Sequence, residues 1–253
     1  MSETTHRVAI VTGATSGIGE AIARKFIASG KRVVGTGRNE PKLRSLEQEL
    51  GDNFHGVAGD AANPVVLESL FVTAIAEFGQ EADIIVVNAG RGLGGSVKDA
   101  DLTEFEEMIR TNLTGALMLL QKASRRLVEI QKTAFPKSAA DIVIVGSVVG
   151  RHVSPFSAVY GSSKFALHSL AEGLRREIAS TGVRVTLVEP GIVVSGFQAV
   201  AKYSDELVNQ FHERFGPLIV GEDIANAVEF VVSQPPHVHV SDILVRPTRQ
   251  DYP

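Results

Sequence analysis

The stretch VAIVTGATSGIGEAIARKF, residues 8–26, reads as a buried strand, a glycine-rich turn and the opening of a helix. Gly13, Gly17 and Gly19 fall in the turn, with Thr15, Ser16 and Ile18 between them. Glycine permits the tight turn and lets the backbone approach a ligand closely. The helix N-terminus beyond it offers free N–H groups to a pyrophosphate. The spacing is G-x-x-x-G-x-G, not the G-x-G-x-x-G of the common dinucleotide folds. It is the position between strand end and helix start that carries the signal.

Outward from this unit the same rhythm repeats. Short apolar runs at 7–12, 32–36, 54–58, 84–87, 141–146, 184–189 and 243–246 are near-continuous rather than alternating, as strands buried on both faces of a parallel sheet require. Helical patterns lie between them at 17–29, 41–50, 64–78, 102–131, 158–180 and 221–233. No long Pro/Gly/Ser linker and no repeat interrupts the chain, which predicts one doubly wound α/β domain over residues 1–253. Residues 191–218 break the rhythm. They read as an irregular excursion, either a lid over a substrate or a plain surface loop.

Bulk properties exclude several function classes. A net charge of −4 with scattered acidic residues argues against a general nucleic-acid binder. The absence of cysteine removes thiol nucleophiles and zinc–thiolate sites, and fits a reducing compartment. The polar start MSETTHR is unlike a secretory signal. No apolar run approaches the roughly 18–20 residues of a membrane span, so a soluble cytoplasmic protein is expected.

Tyr160 and Lys164 stand four residues apart, on one face of the predicted helix, and Ser147 follows an apolar strand thirteen residues ahead of the tyrosine. A free phenol, with a pKa of about 10, is a poor acid or base at neutral pH. A neighbouring ammonium is expected to pull that pKa down, so that the tyrosine exchanges a proton with a carbonyl or alcohol oxygen held by Ser147. On spacing alone Y-x-x-x-K is common on surface helices.

The set T-G-x-x-x-G-x-G, Asn88-Ala89-Gly90, Ser147, Y-x-x-x-K and Pro190-Gly191, in this order and spacing, resembles the short-chain dehydrogenase/reductase family over about the whole chain. The resemblance implies a Rossmann-type sheet of about seven strands and hydride transfer on a nicotinamide cofactor. It further implies that Asn112, whose other reading is an ordinary helix residue, completes a catalytic tetrad with Ser147, Tyr160 and Lys164. In the family that asparagine helps to hold a water near the lysine as part of a proton relay. Asp60 and Ala61 match the adenine contact, although Gly59-Asp60 is also a good turn pair. Asn88, Ala89 and Gly90 pass the cofactor ribose, with Asn88 bracing the sheet. Pro190, Gly191, Val193 and Ser195 match the segment that fixes the nicotinamide carboxamide. At the end of the second strand, where a carboxylate would select NAD, stands Gly37, followed by Arg38. A guanidinium there favours NADP(H), unless it is a solvated turn residue. Ser16 occupies the place where some NADP enzymes of the family carry a second basic residue.

A small-molecule carbonyl or alcohol is the expected substrate. The segment 235–250, ending R-P-T-x-Q, resembles a branch that includes 3-hydroxy acid (serine-type) dehydrogenases and small carbonyl reductases. A 3-oxoacyl-carrier-protein reductase, a non-catalytic NADPH sensor and an epimerase or dehydratase stay as alternatives. Arg91 and Arg151 are each either an anion contact for the substrate or a rim or intersubunit residue, and His152 is a polar contact at most. His168 is expected to pack away from the site. His237 and His239 have no third partner, so no metal site is expected. Phe156, Phe197, Phe211 and Phe215 hint at an apolar pocket wall. The leucines of helices 102–131 and 158–180 face either their own sheet or a partner, and the family implies a homotetramer or homodimer through these helices.

Overall fold

The computed structural model describes residues 6–153 and 157–251. The chain begins β1 (Val8–Thr12), α1 (Gly17–Ala28), β2 (Arg32–Gly37), α2 (Glu40–Leu50), β3 (Phe54–Ala58), α3 (Pro64–Phe78) and β4 (Ile84–Val87). It continues through α4 (Leu102–Ile109), a wide π turn (Arg110–Gly115), α5 (Ala116–Ala134), β5 (Ala140–Val145), α6 (Ala158–Ile178) and β6 (Val183–Pro190). It ends with β7 (Val193–Val194), α7 (Phe197–Val200), α8 (Asp205–Phe215), β8 (Ile219–Val220), α9 (Gly221–Val232) and β9 (Asp242–Val245).

Seven strands form one all-parallel sheet in the order β3-β2-β1-β4-β5-β6-β9, a Rossmann-type arrangement. Because helices cover both faces, both sides of each inner strand must be apolar. Val8 and Ile10 of β1 pack with Leu67 and Phe71 of α3, Leu120 of α5 and Leu167 of α6. Ala9 and Val11 point the other way, toward Ile22 and Phe26 of α1, Leu46 of α2 and Val228 of α9. Each large side chain so removed from water contributes about 1.5–3 kcal/mol.

The strand order reverses between β1 and β4, and the loops that leave their C-terminal ends part to open a crevice. The opposite end of the sheet is stapled by charge. Asp141 at the start of β5 receives Arg184 through Nε at 2.7 Å and Nη2 at 2.8 Å, and Arg7 at 2.7 Å. Arg7 also reaches Asp83 at 2.8 Å, and Arg184 donates to the carbonyls of Gln234, Pro235 and Val238.

Two sequence expectations need correction. The helix expected over 102–131 is two helices joined by the π turn, and the second runs to Ala134. The excursion 191–218 is largely ordered, as α7 and α8 held between the paired short strands β7 and β8. Ser204 caps α8 by accepting the Leu207 amide, with Asp205 and Glu206 in the first turn where a helix dipole favours acid. The leucine stripes divide: Leu120, Leu127 and Leu167 are buried against their own sheet, whereas Leu117 is exposed. Among the described residues no helix is long and apolar enough to cross a membrane.

Candidate active site

The glycine turn is built by exclusion. Gly13 and Gly17 have φ of 70° and 53°, in the region that only glycine enters freely. A Cβ on Gly19 would overlap the Gly13 carbonyl, so helix and turn can close only without one. Asn88, beyond β4, donates through Nδ2 to the Thr12 carbonyl at 2.8 Å and so ties β4 to the turn. Ser16 stands at the N-cap of α1 but makes no side-chain bond to the first-turn amides, which leaves those donors to whatever enters the crevice. Gly37 is glycine for a packing reason: a Cβ there would lie 2.5 Å from Thr15. Arg38 is therefore the first side chain past β2, and its charge is felt by Asp60 across the crevice mouth. The Asp60 carboxylate accepts the Ala62 amide at 2.9 Å and pairs with Arg110.

This turn forms one end of a cleft of about 490 Å³. Thr15, Ser16, Ile18, Arg38, Asp60 and Ala61 line the outer part, and Ala89, Gly90, Pro190, Gly191, Val193 and Ser195 the middle. Ser147, Tyr160 and Lys164 stand at the inner end. Of the predicted site residues, Gly19 and Asn112 lie behind the lining.

At the inner end Tyr160 is buried and its hydroxyl is hydrogen-bonded to Ser147. Lys164 lies one turn further along α6, its Nζ 5.8 Å from the phenol ring centre, and donates to the Val145 carbonyl at 2.9 Å. The expected drop in the tyrosine pKa is not what this arrangement produces. Burial pushes the phenol above its usual range, the nearby Tyr203 adds to the rise, and only the Ser147 bond opposes it. Burial also lowers the Lys164 ammonium to about 8. Both groups are dry, so each disfavours its charged form, and the ammonium is engaged by a carbonyl rather than by the phenol.

Asn112 is buried inside the π turn, a widened turn of the kind that recurs at functional sites. Its side chain accepts the Arg91 amide at 2.8 Å, donates to the Arg91 carbonyl at 2.9 Å and reaches Ser163 Oγ at 3.1 Å. It thus clamps the loop after β4 to the helix that carries Tyr160.

The candidate substrate contacts separate. Arg91 lines the cleft, but its guanidinium pairs with Glu104. Arg151 does not line it: the guanidinium is forked onto the fully buried Glu189, at 2.5 and 2.6 Å. His152 is exposed. His239 bonds the Val185 carbonyl at 3.0 Å. Phe156 lies outside the described residues. Phe197, Phe211 and Phe215 do line the cleft, and Tyr203 completes an aromatic series with them. Ring centres are 5.2 Å apart from Tyr160 to Phe197, 6.4 Å from Phe197 to Tyr203 and 6.2 Å from Tyr203 to Phe211.

His168 does not line the cleft and packs directly beneath the turn that Ser147 caps. The Ser147 amide donates to its Nε2 at 3.3 Å. Tyr203 and Gln250 carry no motif in the sequence, because they sit in the excursion and near the C-terminus and reach the cleft only through the fold. Gln250 accepts the Ile192 amide at 2.9 Å and packs on Gly191, which has no room for a Cβ.

Comparison with known proteins agrees with this geometry. The family profile described as short chain dehydrogenase matches residues 7–206. An uncharacterized oxidoreductase of Staphylococcus aureus (strain MW2) is 35% identical over 248 residues, covering 98% of this chain and 100% of the relative. The solved closed form of serine dehydrogenase complexed with NADP+ superposes with a TM-score of 0.86 at 32% identity, over 97% of this chain and 96% of that one. A 3-ketoacyl-(acyl-carrier-protein) reductase from Brucella melitensis complexed with NADH reaches the same TM-score at 23% identity, over 96% of this chain and 98% of that one, a likeness of fold.

Proposed function

The chain belongs to the short-chain dehydrogenase family, and from that premise we propose that it is an NADP(H)-dependent oxidoreductase that interconverts a small carbonyl compound and its alcohol. The observation that carries this reading is one continuous cleft. A glycine turn with uncapped helix amides and Arg38 lies at its mouth, and a hydrogen-bonded Ser147–Tyr160 pair beside Lys164 lies at its inner end. The residues fit a dinucleotide: the glycine turn lines the cleft with bare backbone, the α1 N-terminus would face its phosphates, and Arg38 suits a 2′-phosphate better than a diol. The nicotinamide supplies or accepts the hydride when bound.

The protein's own part is proton handling and orientation. Ser147 donates a hydrogen bond to the substrate oxygen. Tyr160 gives that oxygen a proton in reduction and removes it in oxidation. A buried phenol above its ordinary pKa holds its proton firmly until negative charge develops on the oxygen, and donors placed in advance at that point lower the barrier. Lys164 offers a positive charge beneath the phenol, and Asn112 holds the loop and helix on which the relay depends. Likeness to serine dehydrogenase favours a small hydroxy acid or a related aldehyde or ketone, seated against Phe197 and Tyr203.

Tyr160→Phe is expected to fold and to bind NADPH as the wild type does, followed by cofactor fluorescence. Its turnover in an NADPH-oxidation screen of small aldehydes, ketones and β-keto acids should fall by about 1000-fold, the middle of the range that one positioned general acid usually contributes. Near-normal turnover in that variant would sink the assignment.

A further inference from the structure

Beneath the turn that Ser147 caps runs a polar chain, buried at Glu189 and open to solvent at Arg151, that the proposed reaction does not use. The Ser147 amide donates to His168 Nε2 at 3.3 Å, so that nitrogen is the acceptor and the ring proton resides on Nδ1. Nδ1 is 3.7 Å from Oε2 of Glu189. Glu189 is fully buried and held by the fork of Arg151, whose Nη2 is also 3.5 Å from Asp242 on the edge strand β9. The ring has been given space from two sides, because a Cβ on either Gly146 or Gly150 would overlap it.

Each member touches an element that carries the reaction. His168 lies one turn beyond Lys164 on α6. Its acceptor bond goes to Ser147 itself. Glu189 directly precedes Pro190-Gly191, and Arg151 follows the short turn that Ser147 caps. We infer that His168, Glu189 and Arg151 form a positioning relay, which holds Ser147 in register with Tyr160 and with the Pro190-Gly191 segment. Burial, reinforced by the charges of Lys164 and Arg151, keeps His168 neutral with a pKa of about 4, as an acceptor toward an amide must be. His168 is a positioning residue: it does not line the cleft, and it acts through the serine.

The inference rests on the hydride-transfer reading, so its test includes a readout that needs no turnover. His168→Leu keeps the bulk and removes the acceptor, whereas His168→Gln returns an amide oxygen near the place of Nε2. In the full chain, His168→Leu is expected to speed hydrogen exchange at the Ser147 amide and to lower kcat by about 10-fold, the loss expected of one misplaced hydrogen bond. NADPH binding should stay within about 2-fold of wild type, and His168→Gln should restore both exchange protection and kcat.

A folded His168→Leu with wild-type kcat overturns the relay, as does a loss that glutamine fails to rescue. If His168→Leu does not fold, Arg151→Met decides. That side chain is half exposed and outside the cleft, so a lower kcat with unchanged NADPH binding supports the relay and a wild-type kcat overturns it. A wild-type protein that oxidises no NADPH with any carbonyl overturns the function instead, and exchange at Ser147 still judges the tie to His168.

Discussion

At pH 7 the Lys164 ammonium sits with one carbonyl, that of Val145, in reach, in a place where burial has brought its pKa from 10.5 to about 8. The sign follows from linkage. The folded state binds the proton less tightly than the unfolded chain does. The stability penalty is therefore complete below about pH 8, shrinks as pH rises from there, and is gone above the ordinary lysine value. Its size is on the order of 3 kcal/mol. Lys164→Met should abolish turnover and yet raise the unfolding free energy at pH 7 by about 1–2 kcal/mol, the gain being trimmed by the Val145 carbonyl left unpaired. Urea titrations of the two proteins at pH 7 and pH 10 check both parts, since the difference should narrow at the higher pH. In the proposed reaction Arg38 is the residue whose charge selects the coenzyme. Arg38→Leu should raise the KM for NADPH by about 10–100-fold and leave that for NADH within a few-fold, the loss of one charge-assisted contact. Initial rates with each coenzyme measure it, and an equal effect on both would show that the guanidinium does not read the phosphate.

Among elements, those built on local rules were legible in the sequence. The β1 run, Gly13 and Gly17 need nothing beyond strand length and positive φ to be read, and β2 to β6 repeat the same apolar pattern. The π turn was not legible. Arg110–Gly115 continues a helical pattern on both sides, and what widens it is tertiary: Asn112 must turn inward to meet both backbone groups of Arg91, twenty-one residues away. His168 was hidden for a similar reason, because its partners lie just past β5 and on β6 and its pocket is defined by two glycines with no signature of their own. α8 was legible and missed. Ser204 followed by two acids, with Leu207, Val208, Phe211 and Phe215 at helical spacing, marks a capped amphipathic helix, whereas the phenylalanines taken alone suggest a pocket wall. They are both. Tyr160 and Lys164 share one side of α6, as their spacing requires, but their electrostatics depend on dryness, which spacing does not report.

The whole molecule divides its tasks along the strand axis. The cleft opens at the C-terminal ends of the strands, and the Arg7–Asp83–Asp141–Arg184 cluster closes the N-terminal ends. Removing one partner of such a cluster leaves buried charge behind. Asp141→Asn should therefore lower the unfolding free energy by about 3–5 kcal/mol while sparing kcat at low temperature. Thermal unfolding beside initial rates at 10 °C tests the separation, and a loss of kcat in the folded variant would refute it. The paired ends of the excursion carry a consequence for how such a molecule diversifies. Val193 lies opposite Ile219 and Val194 opposite Val220, so the twenty-four residues between them leave and re-enter the fold at one two-rung splice. Everything between those rungs enters and leaves through one seam, yet it lays Phe197 and Tyr203 beside Tyr160, so a change of sequence there reshapes the cleft wall and the surroundings of the phenol together.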